Sequence, residues 1–326
     1  MLVHVLSAYP EAPLLPHNFA ASWLRESARL DPFGQHRLCD DPAEADLILF
    51  VESHPGDDPF FFKVIFHPLR RRYPEKCFLY HDADTAIPLV RGVYPSIKRR
   101  DHLKNRCLSG WYIARIEQPV MPESRGRSGS PRHLYSFLGA NNSPPRARLF
   151  AMSHPKGFVE DTSDRRLWAL PTPLEKKAFH SRFSAAILDS RFSLCPAGLG
   201  PCSYRLFESM ELGVAPVIIS DDWVPFDGPP WERFSIRIPE RHIPDLEIIL
   251  EERASESQVL GREARSAWEE WISQPVSFHR LVELCGNLSK EKYGFLSQLR
   301  AWTMLTRPSN LRTLIRPVLH SLRNRA

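Results

Sequence analysis

The sequence predicts an α/β protein with mainly parallel sheets, and two observations support this. Short apolar runs alternate with segments of helical apolar periodicity through most of the 326 residues, which is typical of β-α-β succession rather than of a sandwich or a helix bundle. Hydrophobic residues make up 43% of the chain and aromatic residues 11%, which is sufficient for ordinary packed cores. Disorder is therefore not expected.

The apolar runs predict nine strands. They cover residues 3–6, 47–51, 77–80, 111–116, 134–138, 158–159, 192–195, 215–219 and 235–238. Most of the intervening segments have helical periodicity, so consecutive strands are expected to run parallel.

A stretch rich in Pro, Gly, Ser and Arg, PVMPESRGRSGSPR at residues 119–132, has no periodicity and is predicted to be a linker. It separates two halves that both have the α/β pattern. The predicted organisation is an N-terminal domain at 1–118, a second domain at 133–274 and a helical C-terminal segment at 275–326 that packs back on the first domain.

Cysteine usage and hydropathy favour an intracellular location. The six cysteines contain no C-x-x-C pair, so neither a zinc site nor a disulfide framework is predicted and a reducing compartment is expected. No stretch approaches the roughly 20 apolar residues that a spanning helix needs, and the start, MLVHVLSAYP, has no export-signal pattern. A cytoplasmic location is expected.

The basic residues are concentrated at the C-terminus. The formal net charge of +5 is modest for this length, and nucleic acid is not an expected partner. Six arginines fall in the last 27 residues, which suits peripheral contact with an anionic inner membrane or with another polyanion. A solvated helix face is the competing interpretation.

Residues 192–226, FSLCPAGLGPCSYRLFESMELGVAPVIISDDWVPF, have the clearest functional pattern: strand, Gly/Pro loop, helix, glycine stop, strand and acidic turn. Gly198 and Gly200 lie in the loop, Ser203 is predicted to cap the helix, and Gly213 is predicted to end it in a left-handed conformation. Such a loop directs backbone N–H groups and the positive end of a helix dipole at one point. The segment is therefore predicted to bind a phosphate or pyrophosphate.

Two charged residues share one face of the predicted helix, because Arg205 and Glu208 are three residues apart. A guanidinium can bind a diphosphate with two parallel hydrogen bonds, and a carboxylate can accept hydrogen bonds from both hydroxyls of a ribose. One helix could thus hold both parts of a nucleoside diphosphate. The alternative is an ordinary surface ion pair with little effect on stability.

At this point a family resemblance becomes specific. FSLCPAGLGPCSYRLFESMELGVAPVIISD, followed by WVPF, WERFSIRIPE and the IPDL segment, closely resembles the C-terminal signature of exostosin-type glycosyltransferases, in order from residue 192 to about residue 250. RHLYSFLGANNSPPRARLF, at residues 132–150, resembles the strand and R-x-x-L helix that open that family's donor domain. The first 118 residues resemble the family only weakly.

The resemblance implies a GT-B fold, in which two Rossmann-like domains face each other across a cleft, here with C-terminal helices. It implies inverting transfer of a sugar from a UDP-sugar to a glycan, a lipid-linked glycan or another hydroxyl acceptor. It also implies that Ser203, Arg205 and Glu208 contact the donor, with Arg205 on the diphosphate and Glu208 on the ribose. Animal relatives are membrane-anchored, whereas this chain begins almost directly at a strand, so a cytoplasmic, bacterial version is expected.

Inverting transfer also needs a base for the acceptor hydroxyl, which is expected from the first domain. The sequence LYHDAD at residues 79–84 follows a predicted strand and brings Asp82 and Asp84 to its carboxyl end, where α/β sites form. A self-capping turn is the alternative. Glu52 and His54 are the second choice, and Asn141, with Asn142 beside it, is expected to touch the donor sugar.

Three other interpretations remain open. Gly198-x-Gly200 after a strand, with Asp221 about twenty residues on, imitates a dinucleotide fingerprint, so an NAD-dependent oxidoreductase is one alternative; Ser203 stands where the third glycine is expected. Asp82-x-Asp84 imitates a metal-binding D-x-D, although the phosphate loop and Arg205 can stabilise the leaving group and no metal or other cofactor is expected. A non-catalytic polyanion-binding protein is the third.

Overall fold

The computed structural model describes residues 1–9, 19–53, 58–113, 130–165, 172–292 and 294–323. The chain divides into two compact units. The first comprises Met1–Ile116, Val224–Phe226 and Ser273–Ala326, and the second comprises Glu117–Trp223 and Asp227–Ile272. Residues 119–129 of the predicted linker lie outside the described residues, and the predicted domain limits stay a prediction.

Unit 1 is built on a six-stranded parallel sheet in the order β2-β1-β3-β4-β5-β6. The strands are β1 (Leu2–Leu6), β2 (Arg37–Leu38), β3 (Leu47–Glu52), β4 (Cys77–His81), β5 (Gly92–Val93) and β6 (Cys107–Leu108). Its first helices are α1 (Phe19–Leu30), α2 (Phe62–Ile65) and α3 (Pro68–Arg72). Every residue of β3 is buried, as expected for a central strand of a parallel sheet covered on both faces.

Unit 2 is built on a five-stranded parallel sheet in the order β11-β10-β9-β7-β8. The strands are β7 (His133–Gly139), β8 (Gly157–Asp161), β9 (Ser190–Pro196), β10 (Ala215–Ile219) and β11 (Ile236–Arg237). The helices are α4 (Pro144–Phe150), α5 (Pro173–Leu188), α6 (Tyr204–Glu211), α7 (Trp231–Phe234), α8 (Leu246–Glu252) and α9 (Ser257–Trp271). Short 3-10 turns flank α8.

After unit 2 the chain returns to unit 1 and forms α10 (Gln274–Lys290), α11 (Phe295–Thr303) and α12 (Pro308–Arg323). Helix α10 packs along α1, and the amide of Phe278 donates to Ser27 Oγ at 2.8 Å. The indole of Trp111 donates to Ser277 Oγ at 3.2 Å. The C-terminal helices are thus part of the core of unit 1.

The predicted α/β class is confirmed, because the structure contains two parallel sheets whose strands are connected by helices. The structure has two Rossmann-like units with C-terminal helices, which is the composition that the GT-B expectation requires. Eight of the nine predicted strands are present. The strands that the sequence did not indicate, β2, β5 and β6, have two residues each and are too short to produce an alternating pattern.

The predicted strand at 111–116 is wrong over its described part, residues 111–113, which form no strand. A side chain takes the place of a neighbouring strand there. The Tyr80 hydroxyl donates to the carbonyl of Trp111 at 3.0 Å and accepts from the amide of Ile113 at 3.0 Å. The side chains of residues 111–113 are buried. Their backbone hydrogen bonds, however, are made by the hydroxyl of Tyr80 and not by a neighbouring strand.

Throughout the described residues, no helix combines the length and the apolar character needed to cross a membrane. All six cysteines are free thiols. The cytoplasmic location stays a prediction.

The Tyr80 bridge leads to a stability prediction. Tyr80→Phe leaves one buried carbonyl and one buried amide without their partner, so the free energy of unfolding should fall by about 2–3 kcal/mol in a urea titration. Tyr94→Phe is the matched control, because Tyr94 is equally buried and its hydroxyl bonds to the single carbonyl of Val90. A Tyr80→Phe loss no larger than that of the control would contradict the bridging role.

Candidate functional site

The strand order of unit 2 reverses between β7 and β9. From β7 the chain passes through α4 to β8 on one side, and from β9 it passes through α6 to β10 on the other. In an open parallel sheet, such a reversal separates the two outgoing loops and leaves a crevice at the carboxyl ends of the strands, where ligands bind. In this unit the crevice lies between the loop after Gly139 and the loop after Pro196.

The two loops at this switch point are tied to each other. Ser143, at the start of α4, donates its hydroxyl to the carbonyl of Ala197 at 2.6 Å. The guanidinium of Arg146 donates to the carbonyl of Ala140 at 3.1 Å and to that of Pro196 at 3.4 Å. These contacts hold both walls of the crevice in a fixed geometry. Arg146 belongs to the R-x-x-L segment of the family resemblance, but no local pattern in the sequence indicates that it joins two loops.

Arg205 and Glu208 lie at this crevice, on α6. Arg205 Nη1 donates to Glu208 Oε2 at 2.6 Å, and Nη2 donates to the carbonyl of Leu138, in β7, at 3.2 Å. The Phe183 ring lies 4.4 Å from the guanidinium carbon. The two side chains are only 11% and 16% exposed, so this is not the ordinary surface ion pair of the alternative interpretation.

The position of this pair follows from local sequence. Helix α6 begins after the Gly/Pro loop, and its apolar residues Leu206, Phe207 and Met210 are buried against the sheet. That packing leaves Arg205 and Glu208 directed to the carboxyl edge of the sheet, where the guanidinium reaches the end of β7. Polar groups held in such a sheltered place interact more strongly with an anion than the same groups in water.

The helix limits match the prediction, whereas the details of the cap differ. Ser203 occupies the N-cap position, but its side chain makes no cap hydrogen bond and is buried. Gly213 has the expected left-handed conformation, with a φ of 69°. A Cβ at position 261 would lie 2.3 Å from the carbonyl oxygen of Gly213. Helix α9 can therefore approach this turn so closely only because residue 261 is glycine.

The glycine loop is not a simple row of outward N–H groups. The Gly198 amide donates to the carbonyl of Gly200 at 3.1 Å, so this amide is used within the loop. A Cβ on Gly198 would lie 2.9 Å from Arg146 Nη2, which gives the glycine a packing reason as well. Asn141 is exposed, and its backbone N–H donates to Ser163 Oγ at 2.9 Å. The structure thus brings Asn141 and Gly198 to the two loops of one crevice, and their roles stay predictions.

Unit 1 has its own switch point, between β1 and β3. Glu52 ends β3 there and is fully buried. Its Oε1 accepts from the amide of Ala8 at 2.7 Å, and its Oε2 accepts from Ser7 Oγ at 2.7 Å. Burial raises the pKa of Glu52 to about 7, against the lowering effect of these two bonds.

A second cluster adjoins it. The Tyr9 hydroxyl donates to Asp58 Oδ2 at 2.6 Å, and the same carboxylate accepts from two amides at the start of α2. Phe61, buried with a left-handed φ of 57°, places its ring 4.4 Å from that of His81. A strained non-glycine residue is stable only where its surroundings hold it firmly, and such residues are common at functional sites.

Asp82 and Asp84 follow β4 as predicted, in different surroundings. Asp82 is buried, and burial together with the charge of Asp84 raises the pKa of the Asp82 carboxyl to about 8. Asp84 is exposed. Burial lowers the pKa of His81 to about 3, so this imidazole stays neutral. His54, the second-choice histidine, lies outside the described residues.

Across the described ranges, no group of three or more His, Cys, Asp or Glu side chains is placed to hold a metal ion. Whether the reaction needs a metal stays a prediction.

A family comparison matches the region that contains the α6 site. Residues 160–253 match the family described as the Exostosin GT47 domain. The matched range contains Gly198, Gly200, Ser203, Arg205 and Glu208. It does not include β7, and of unit 1 it includes only Val224–Phe226.

Three curated relatives to which the chain is similar come from plants. A probable beta-1,4-xylosyltransferase from Arabidopsis thaliana is 45% identical over 193 residues, covering 53% of this chain and 44% of that protein. A probable glucuronosyltransferase from Physcomitrium patens is 29% identical over 227 residues, covering 62% and 47%. A probable glucuronosyltransferase from Oryza sativa subsp. japonica is 46% identical over 230 residues, covering 62% and 51%. The chain spans about half the length of these relatives.

Among solved structures, the crystal structure of MurG from Acinetobacter baumannii aligns with a TM-score of 0.35 at 12% identity, covering 82% of this chain and 76% of that one. A similarity of this size supports no conclusion about function. The domain match and the curated relatives agree with the residues on which the resemblance was based. Residues 160–253 thus match the Exostosin GT47 domain, and the curated relatives to which the chain is similar are named as glucuronosyl- and xylosyltransferases.

Proposed function

We propose that this protein transfers a sugar from a UDP-sugar to a hydroxyl group of a glycan, a lipid-linked glycan or another acceptor, with inversion at the anomeric carbon. The observation that carries the proposal is the sheltered Arg205–Glu208 pair at the β7/β9 switch point, inside the matched domain. The relatives are named for glucuronosyl and xylosyl transfer, so UDP-glucuronate and UDP-xylose are the first donors to test.

In this proposal, the diphosphate lies against the Arg205 guanidinium and the N-terminal end of α6. The carbonyl of Leu138 and Glu208 hold the guanidinium in place before the donor arrives, so little reorganisation is needed. Ser203 is well suited to a donor contact because its side chain makes no helix-cap bond. Glu208 accepts the ribose hydroxyls, and Asn141 contacts the sugar from the loop after β7.

The reaction needs one proton acceptor. The acceptor hydroxyl gives its proton to a carboxylate of unit 1, its oxygen forms a bond to the anomeric carbon, and the bond from that carbon to the diphosphate breaks with both electrons leaving on UDP. Asp82 is the proposed base, because its raised pKa lies close to physiological pH. Glu52 is the competing candidate, since it lies at the switch point of unit 1.

The remaining partners follow from the same scheme. Arg205 and the α6 terminus stabilise the departing diphosphate, so the proposal includes no metal or other cofactor. It places the protein in the cytoplasm with its acceptor, and the arginine-rich C-terminus in peripheral contact with the inner membrane. An NAD-dependent reaction is not favoured, because the relatives are named as glycosyltransferases.

Arg205→Lys tests the donor site. Lysine keeps the positive charge but cannot make two parallel hydrogen bonds, so the dissociation constant for the preferred UDP-sugar should rise about tenfold or more, as measured by calorimetry. Glu208→Gln should weaken binding of UDP-sugar but not that of inorganic pyrophosphate, because it removes the proposed ribose acceptor and leaves the Arg205 cation in place.

Arg253→Lys is the matched control. Arg253 and Glu256 form an ion pair of the same spacing in unit 2, with a 2.6 Å contact, on another and more exposed turn. The control should bind the donor like the unaltered protein. Equal affinities of the Arg205 and Arg253 variants would contradict the assigned site.

The pH dependence of kcat/KM identifies the base. A base must be deprotonated, so activity should be lost as the pH falls through its raised pKa. With Asp82 as the base, the rising limb should lie near pH 8, and Asp82→Asn should lower the rate about 10² to 10⁴-fold while UDP-sugar binding persists.

Glu52→Gln separates the two candidates. A glutamine can still accept from Ala8 and bond to Ser7, so the fold is expected to persist. If Asp82 is the base, this variant keeps the limb near pH 8. A limb near pH 7 that disappears in Glu52→Gln would assign the role to Glu52 instead.

A further inference from the structure

Helix α11 exposes an apolar face. Phe295 and Leu296 are each 78% exposed and Leu299 is 47% exposed. At about 100° per residue, these three positions fall within an arc of about 100°. Ala301, fully buried, lies on the opposite side of the same helix, so the apolar face is directed away from the core of unit 1.

The helix is firmly held, so its exposed face is not the side of a loose tail. Met304, at the turn after α11, is 2% exposed and belongs with Ala301 to the core of unit 1. Arg307 forms an ion pair with the buried Asp101, and Asn310 donates to the carbonyl of Met304 at 2.8 Å. Both the start of α12 and the end of α11 are therefore fixed to the sheet-bearing part of the unit.

Positive charge surrounds the apolar face. Between residues 290 and 315 there are five cationic residues and one acidic residue, Glu291. The cationic residues are Lys290, Lys292, Arg300, Arg307 and Arg312. Arg307 is paired with Asp101, so the positive charge near the face comes from the other four. No aspartate or glutamate follows in residues 316–326, where three more arginines occur. Arg300 is exposed and lies next to Leu299 on the rim of the face.

The next helix continues this character. Leu311 is 40% exposed and Ile315 is 49% exposed, four residues apart on α12, with the exposed Arg312 between them. Leu314 packs on the core instead. The described part of α12 thus also pairs an exposed apolar strip with a cation.

One exposed apolar residue of unit 2, Ile248, has different surroundings. Ile248, on α8, is 63% exposed, but it lies in the segment LEIILEE with three glutamates. An acidic setting of this kind would repel an anionic surface. Ile248 therefore lacks the cations that accompany Phe295, Leu296 and Leu299.

We propose that α11 is a membrane-docking element, whose Phe295, Leu296 and Leu299 insert into the boundary between headgroups and acyl chains of an anionic bilayer. Apolar insertion and attraction of Lys and Arg to acidic lipid headgroups act together in interfacial helices. The occupant is a lipid surface because the apolar area is small, it is carried on a helix end, and its rim is positive. Docking here would hold unit 1 at the surface from which a lipid-linked acceptor is reached.

The test is co-sedimentation of the full chain with vesicles. Binding should be strong with phosphatidylcholine vesicles that contain about one-third phosphatidylglycerol, and weak with phosphatidylcholine alone. The double variant F295S/L296S should reduce binding to the anionic vesicles about tenfold or more. The double variant K290E/K292E should also reduce binding to the anionic vesicles, and the reduction should be larger at low salt than at high salt.

Ile248→Ser is the matched control and should bind like the unaltered chain. Thermal unfolding of all variants should be unchanged, since the altered side chains are exposed. Absence of binding to anionic vesicles, or equal binding by F295S/L296S and the control, would overturn the proposal. So would a dimer in solution that F295S/L296S dissociates, because a second copy would then cover the face. UDP-sugar binding is not needed for this result, so a failed donor site and a failed docking face give separable outcomes.

Discussion

The reversal of strand order between β7 and β9 is the constraint on which the proposed chemistry depends. Parallel strands leave their outgoing loops at one edge, and a reversal separates two of those loops into a crevice. Arg205 uses this geometry: it starts from the helix after β9 and reaches back to the end of β7, where the carbonyl of Leu138 accepts its hydrogen bond. Glu208 pairs with the same guanidinium at 2.6 Å. A donor would thus meet groups that are already oriented.

Desolvation of carboxyl groups is the corresponding feature of unit 1. Glu52 ends β3 and Asp82 follows β4; both are buried, and burial favours the protonated form of each. Carboxyl groups with raised pKa values are costly for stability at neutral pH, because the unfolded chain would release the protons that the folded chain keeps. Such a cost is typical of sites where proton transfer is required.

Much of the fold could be predicted from the sequence, because central parallel strands are continuous apolar runs and helix α6 has clear start and stop signals. The turn at Gly213 follows from the same signals. What could not be predicted depends on contacts distant in sequence. Tyr80 replaces a strand partner for residues 111–113. Arg146 joins two loops by donating to the carbonyl of Pro196, which is 50 residues away in the chain. The burial of Arg205 against Phe183 likewise has no local signal, so the sequence left the surface-pair alternative open.

The crystal structure of the protein soaked with UDP tests the central claim most directly. We expect the diphosphate at the carboxyl edge of β7 and β9, with the Arg205 guanidinium within hydrogen-bonding distance of it and Glu208 on the ribose hydroxyls. UDP bound elsewhere, or bound in this crevice with the Arg205–Leu138 and Arg205–Glu208 contacts intact and no contact from either side chain to the nucleotide, would contradict the account.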